Sequence, residues 1–594
     1  MILLVMLCLG TFAAIAQVLF MRETLVVFFG NELSIGVMFA SWLLGISLGA
    51  FVARFLQKAL LSAAIRQRVL MALLLIVAVA LPLQIYAVRI VRLILHVPTG
   101  EYASLAAIFF GSLFIFLPTT FSIGLFFPLA CRSYQERAGG GTATTVSRIY
   151  LIESVGGMVG GATLTYLLLP AMTAYRIALL ASAIALAAAA LMAAGRTLRI
   201  VLATMAVCLV TVVGLYPGWL ARAEHRTVEA RWRAFGVLQP ATRGGSPAVR
   251  LAAETDTVYQ NLAITESGGQ YVLYANGQVL SEFPDPSAYE HSVHFVMAQN
   301  PAAKRVLLLG GNPVGDIPEL LKYKLERLVY VELDPGVGRL IQEVQPALYD
   351  AAVESRLPTI VSEDAPRYVQ HCRESFDVIL VNAPEPTTAG ANRYYTLEFY
   401  RNLRRILAPA GFVYTAVSCS EQLQSEAADL GASVYQTLKQ VFPVVRVTAE
   451  TRRRFFAGSE EAGIGFSRKL LTARSEAAAI PTRFFRPEYF VMADEIDDEK
   501  TLEVEGIFAA RQVPLNTNMK PATYFYNLLL WSRFSGSGVE SFLGSLRSLN
   551  AMIIIKWLLL SGVACLLAAI GLRGFRRQLP QDGGKWSRAM LGLV

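Results

Sequence analysis

Charge is scarce in this chain. Of 594 residues only 16% are Asp, Glu, Lys or Arg, against 54% hydrophobic, which excludes a wholly soluble protein and requires contact with lipid. Histidine is rarer still, with five residues, and the six cysteines are scattered. Cys8, Cys208 and Cys565 lie inside apolar runs and Cys372 and Cys419 in the polar part, so there is no disulfide framework, no CxxC pair and no zinc site. His291 and His294 lie three apart on a predicted helix, but two ligands without a third read as ordinary histidines, and no metal is expected. The net charge of +9 does not argue for nucleic acid, because much of the excess flanks apolar segments, where arginine orients membrane helices.

What the chain has in abundance is long apolar runs. Residues 2–20, 33–52, 69–88, 103–129, 149–169, 174–194 and 200–216 each approach the twenty residues that a bilayer requires, and an eighth run covers 552–572. Ala14-Ile15-Ala16 is shaped like a signal-peptidase site, yet no basic region precedes the first run and more spans follow it, so a retained helix is expected. This divides the chain into a seven-helix membrane part (1–220), a polar domain (221–550), a last transmembrane helix (551–572) and a basic tail (573–594).

Loop charges set an orientation. Arg54, Lys58, Arg66, Arg68, Arg132, Arg137, Arg148, Arg196, Arg199, Arg573, Arg576, Arg577, Lys585 and Arg588 fall on one side, and only Arg22, Arg89, Arg92 and Arg176 on the other. The positive-inside rule then puts both termini in the cytoplasm and the polar domain outside, in what reads as a bacterial inner membrane. Within the spans, Gly45 and Gly49, Gly156 and Gly160, and Gly157 and Gly161 make small-residue stripes for close helix packing. Glu153 is an ionisable group in the fifth run and is expected to face a partner or a pathway. Arg22-Glu23 and Asn31-Glu32 are expected at hydrated interfaces.

The polar domain is organised around residues 304–334, KRVLLLGGNPVGDIPELLKYKLERLVYVELD. An apolar strand at 306–309 runs into Gly310, Gly311 and Gly315, which let the backbone turn sharply and approach a ligand. A helix at about 316–325 presents free amides, and a second strand at 328–331 ends in Glu332 and Asp334, where a carboxylate can accept both hydroxyls of a ribose. Before it, residues 258–280 alternate around Gly268-Gly269 and Asn276-Gly277 and predict a small antiparallel sheet, within about 250–285, followed by a helix at 289–299. After it, strands near 359–361, 377–381 and 411–417 alternate with helices, one at 396–407. The expected core, about 286–450, is therefore a Rossmann-like, doubly wound parallel sheet, with an extra segment at 451–550. Glu332, Asp364, Asn382 and Glu385 all fall at the strands' carboxyl ends.

These motifs resemble the spermidine synthase (polyamine aminopropyltransferase) family, and more closely the multi-pass membrane proteins that carry a spermidine-synthase-like domain. The likeness runs over 254–417, with further matches at 22–49 and 515–531, which includes Leu515-Asn516-Thr517-Asn518-Met519-Lys520-Pro521. It implies a fold of the S-adenosylmethionine-methyltransferase type and decarboxylated S-adenosylmethionine or methylthioadenosine as ligand, with no tightly bound cofactor. It also implies Gln260 of the Tyr259-Gln260 pair against the sulphur side of the ligand, Tyr289 as the gating tyrosine, Glu332 on the ribose and Asp364 at the adenine amine. Two positions depart from the family. Its glycine turn, GGGDGG, holds the aminopropyl ammonium with an aspartate, and Pro313 stands there. Its DxxDP aspartates take the proton and bind polyamine, and here Asn382-Ala383-Pro384-Glu385-Pro386 stands instead.

An amide is no general base near neutral pH. Asn382 therefore hands the chemistry to another carboxylate, with Glu385 expected to bind or deprotonate the amine and Glu290 or Asp316 as substitutes. Three functions follow. The first is a membrane-anchored aminopropyltransferase acting on an amine. The second is an inactive scaffold, sensor or subunit of a membrane complex or homo-oligomer, favoured by Pro313, Asn382 and a domain placed outside the cytoplasm, away from an S-adenosyl donor. The third is a polyamine-sensing transporter, for which Glu153 speaks.

Overall fold

The hydrophobic stretches become seven helices long and apolar enough to cross a membrane: Ile2–Val27, Glu32–Leu56, Ala63–Arg89, Leu105–Ala138, Thr142–Leu168, Ala174–Met192 and Arg196–Leu215. The computed structural model describes residues 1–59, 62–139, 141–241, 247–353, 357–419, 426–534 and 551–578. The eighth expected run lies in helix Ala551–Gln578, whose apolar part is Ile555–Ala568. Most of these helices extend past the apolar runs, because polar residues such as Arg22, Glu23 and Glu136 continue them. Lys585 and Arg588 of the basic tail lie outside the described residues.

The spans pack through glycine. A Cβ on Gly10 would collide with the Glu153 carbonyl, and one on Gly156 or Gly160 with the carbonyls of Leu7 or Thr11, so the first and fifth helices touch along their backbones. The Thr11 hydroxyl donates to the Gly156 carbonyl at 3.0 Å. Gly49 and Gly124 do the same for the second and fourth, and Gly45 makes room there for the Thr120 side chain. Gly161 faces open space and Gly157 meets the first helix only at Gly10, so of the two adjoining stripes the one through Gly156 and Gly160 makes the closer contact.

The ends of the first, third, fifth and seventh spans share one side, and the polar domain sits on them. Helix Pro217–Ala234, opened by a proline at its first position, leads from the seventh span into the domain. A four-stranded antiparallel sheet follows in the order β1 (Arg250–Asp256), β2 (Asn261–Ser267), β3 (Gln270–Ala275), β4 (Gln278–Phe283). Its tight turns place Gly268, Gly269, Asn276 and Gly277 at positive φ, as the primed hairpin turns require. Gly277 rests on the Val26 carbonyl and the Phe29 ring at the end of the first span, which seats the sheet on the membrane helices.

Beyond helix Pro286–Met297 comes a seven-stranded sheet of β5 (Arg305–Gly310), β6 (Arg327–Glu332), β7 (Pro358–Ser362), β8 (Phe376–Asn382), β9 (Leu407–Ser418), β10 (Val444–Val447) and β11 (Arg452–Gly458), in the order β10-β11-β9-β8-β5-β6-β7. The five strands from β9 to β7, those expected from the sequence, are parallel, and β11 is added antiparallel to both β9 and β10, so the complete sheet is mixed. Alternation of side chains explains the uniform burial of β5. Leu307 and Leu309 enter the core on one face and Val306 and Leu308 that on the other. The helix after the glycine turn is Pro313–Leu320, earlier and shorter than expected, because Asn312 caps it and Pro313 occupies its first turn.

Glu23 is where the sequence reading fails most clearly. Far from being hydrated, it is 3% exposed. Arg89 donates to it from Nε at 3.0 Å and Nη2 at 2.6 Å, and Arg231 from Nη1 at 3.0 Å. Arg89 also meets Glu224 at 3.3 Å, and Arg231 reaches Glu254 on β1, which accepts from Asn261 Nδ2 at 2.8 Å. Arg22 donates to the Thr257 carbonyl at 2.6 Å. A hydrophobicity scan cannot see this, because the partners lie on elements 66 and 208 residues away.

Removing one member of such a network leaves the others charged and buried, which costs about 3–5 kcal/mol. Glu23→Ala in the full-length protein is expected to lose stability on that scale and to lower the apparent Tm, read by thermal unfolding. A loss below about 1 kcal/mol, the range of an exposed pair, would mean that water reaches the site.

Candidate active site

The glycine turn and the end of β8 build the centre. Gly310 and Gly311 have φ of +71° and +92°, and a Cβ on Gly311 would lie 2.5 Å from Asp316 Oδ2 and 2.8 Å from Asn382 Nδ2. Only glycine fits there, and its absent side chain lets the carboxylate and the amide meet. Asp316 Oδ2 accepts from Asn382 Nδ2 at 3.1 Å and from the Asn312 amide at 3.0 Å. Burial pushes the Asp316 carboxyl up to about 6, while these two hydrogen bonds pull the other way. Asn312, which the sequence reading missed, also caps the helix by accepting from the Val314 amide at 3.2 Å, and its Nδ2 donates to Tyr289 Oη at 2.9 Å.

Tyr289 closes the turn from above. Its hydroxyl donates to the Glu282 carbonyl, and its ring lies so near Gly315 that a Cβ there would sit 2.5 Å from it. Gly315 thus serves the tyrosine's approach, with no positive φ of its own. Desolvation raises the phenol well above its ordinary value, so it is a donor.

A second group forms at the end of β6. Glu332 Oε1 accepts from the Asp334 amide at 3.0 Å, Tyr330 Oη donates to Oε2 at 3.3 Å, and burial raises its carboxyl. Asp334 is fixed by the Gly336 amide at 2.9 Å on Oδ1, and by Thr257 Oγ1 at 2.7 Å and Gln260 Nε2 at 3.2 Å on Oδ2. Through Gln260 and Thr257 the small sheet is tied to the larger one. Asp364, expected at an adenine amine, is paired with Arg393 Nη2 at 2.8 Å. No sequence pattern pointed to Arg393, which arrives from a 3-10 turn 29 residues away.

Glu385 stands apart from the Asp316 pair. Its Oε1 accepts from the Ser418 amide at 2.9 Å and hydroxyl at 2.8 Å, at the rim of a cavity of about 460 Å³ that Gln260 also lines. Glu290 is no substitute base. Its carboxylate accepts from the backbone amides of Arg483, Phe484 and Phe485, at 2.6 to 3.0 Å, and these hold it low. Of the two carboxylates named as replacements, Asp316 alone is at the turn.

A carboxyl raised from 3.8 to about 6 on folding binds more protons in the native state between those values, so stability falls as pH rises through that window. Two units correspond to roughly 3 kcal/mol at pH 7. Asp316→Asn keeps an acceptor for Asn312 and Asn382 but carries no charge. It is expected to raise Tm at pH 7, with the gain vanishing below about pH 4; a gain independent of pH would refute the burial account.

A spermine/spermidine synthase domain model matches residues 287–459. The polyamine aminopropyltransferase of Thermococcus kodakarensis is 32% identical over 227 residues, which cover 37% of this chain and 75% of that one. Polyamine aminopropyltransferase 2 of Hyperthermus butylicus is 30% identical over 205 residues, 33% of this chain and 65% of its own. For polyamine aminopropyltransferase 1 of Streptomyces coelicolor the figures are 24% identity, 303 residues, 49% and 55%. The chain thus spans between about half and three quarters of these relatives. Two solved structures also match: spermidine synthase in complex with the transition state analogue AdoDATO, with a TM-score of 0.38, 20% identity and 43% of this chain against 89% of that one, and spermidine synthase from Thermotoga maritima, with 0.36, 19%, 44% and 89%. With a relative 32% identical over three quarters of its length, the chain belongs to the spermine/spermidine synthase family, the polyamine aminopropyltransferases.

Proposed function

We propose that this protein is a membrane-anchored aminopropyltransferase in which Asp316 replaces the aspartate that Asn382 no longer supplies. The observation that carries this is the buried Asp316 carboxylate 3.1 Å from the Asn382 amide, with its pKa raised to about 6. A general base works best with a pKa near the operating pH, and this carboxyl is closer to it than an ordinary aspartate. In the reaction, the amine nitrogen forms a bond to the aminopropyl carbon of decarboxylated S-adenosylmethionine. The carbon–sulphur bond breaks with its electron pair going to sulphur, methylthioadenosine leaves, and the proton of the new ammonium passes to Asp316. Because Asn382 Nδ2 donates to Asp316, its Oδ1 is left to accept from the attacking amine and orient it. Glu332 takes the ribose edge and Gln260 borders the sulphur side. The names of the relatives, polyamine aminopropyltransferases, accord with such a ligand.

General-base catalysis contributes about 10²- to 10⁴-fold. Asp316→Asn is expected to lower the rate of methylthioadenosine release, with a panel of primary amines as acceptors, by that factor. Mass spectrometry of the products reads it directly. A wild type without product, in protein that binds methylthioadenosine, would leave a ligand-binding scaffold instead.

On sidedness we extend the same proposal. Basic residues gather on the loops opposite the α/β domain, so the domain faces outward and both termini face the cytoplasm. The donor must then be supplied on that face, and topology is tested separately from chemistry. Protease added outside right-side-out vesicles is expected to cut within 221–534 and to spare a reporter fused after residue 572; full protection of the domain would reverse the orientation.

A further inference from the structure

The cavity beside Glu385 is built by both halves of the chain. Phe29 comes from the turn between the first and second spans, Tyr102 from the loop between the third and fourth, Leu280 from β4, and Leu530 and Trp531 from helix Ala522–Phe534. The loop that carries Glu385 is itself tied to the membrane part, since the Ala389 amide donates at 2.7 Å to Glu32 in the first turn of the second span. Leu280 and its neighbour Val279 are 42% and 58% exposed on the strand that Gly277 seats against the first span. Apolar side chains thus lie open beside the end of the first apolar helix.

The charge of the lining decides what fits. Among the described residues that line this cavity, Glu385 is the one carboxylate, and the other polar groups are amides, hydroxyls and backbone. Both hydrogen bonds from Ser418 fall on Oε1, which leaves Oε2 to accept from an ammonium. A short diamine would bring a second ammonium to a lining that offers neutral amide and hydroxyl oxygens, such as those of Asn31, Asn276 and Asn527, but no second carboxylate, so that charge would go unpaired beside Phe29, Tyr102 and Trp531. An amine on an apolar chain brings one charge and a tail, and the tail finds the aromatic and aliphatic wall.

We infer that the acceptor for this site is a primary amine borne on an apolar chain, which enters from the bilayer interface with its ammonium on Glu385. This rests on the transfer reaction proposed above for the chemistry, though not for the binding. For transfer the ammonium would first give a proton to Glu385; the free amine nitrogen then bonds to the aminopropyl carbon as the carbon–sulphur bond breaks with its electron pair going to sulphur, methylthioadenosine leaves, and a proton of the secondary ammonium so formed passes to Asp316. The membrane helices would then form part of the substrate site as well as anchoring it.

The test uses the full-length protein in phosphatidylcholine nanodiscs, with 12-bromododecylamine and 12-bromododecanol as quenchers of tryptophan fluorescence. The amine is expected to quench saturably, and the saturable part should vanish in Trp531→Phe. Glu385→Gln should weaken it at least tenfold and Glu385→Asp should largely restore it, while the alcohol gives only the unsaturable background of partition. Equal quenching by amine and alcohol in the wild type would overturn the inference without any variant having to fold. Supplied with decarboxylated S-adenosylmethionine, the protein should convert dodecylamine to its N-aminopropyl derivative. Transfer to butane-1,4-diamine and not to dodecylamine would refute the inference and leave the transfer reaction standing. Saturable binding through Glu385 with neither product formed would keep the site and refute the transfer reaction.

Discussion

The arrangement depends on charges buried where the membrane helices meet the small sheet. Glu23 receives Arg89 from the third span and Arg231 from the helix after the seventh, and Arg231 continues to Glu254 on β1. Removing ions of this size from water carries a penalty of several kcal/mol each, which is offset only when every partner is in place. A sheet that shifted by one residue, or a span that rotated by one position, would strand a charge. The network therefore fixes one seating of the sheet on the spans. From that seating follow Thr257 and Gln260 over Asp334, and the alignment of β4 with the ends of the first and second spans.

At the chemical centre the constraint is steric. The backbone at Gly311 has no room for a Cβ, and the space is filled by the Asp316–Asn382 pair. The glycine turn was legible in the sequence, because an apolar strand running into Gly310-Gly311 has few other meanings. The position of the carboxylate was not. Aligned without gaps, Pro313 takes the family's aspartate position, and the sequence cannot tell that a helix starting at Pro313 brings Asp316 back over the turn. Glu290 and Asp316 were indistinguishable as letters. One is consumed by three backbone amides and the other faces Asn382.

Much of the fold was readable for the same reason that its errors were predictable. Spans declare themselves by twenty apolar residues and buried strands by short apolar runs, both of which are local. Glu23, Arg393 and the antiparallel pairing of β11 are settled by partners far along the chain, and no window of sequence contains them. Tyr289, Gln260 and Glu332 were found by resemblance, yet what each touches required the structure. Asn312 was passed over because a residue between a glycine and a proline reads as turn filler, although it caps the helix, supports Asp316 and holds Tyr289 at once.

The first span is held twice, by backbone contact with the fifth helix through Gly10, Gly156 and Gly160, and by the Glu23 pairs to the sheet. Hydrophobic mismatch acts on helices with fractions of a kcal/mol per ångström, whereas breaking the buried pairs costs several. A tilt of the first helix is accordingly cheaper than detaching it from the sheet, and β1 travels with it. The small sheet and the first helix are thereby one mechanical unit, joined through Glu23, Arg231 and Glu254.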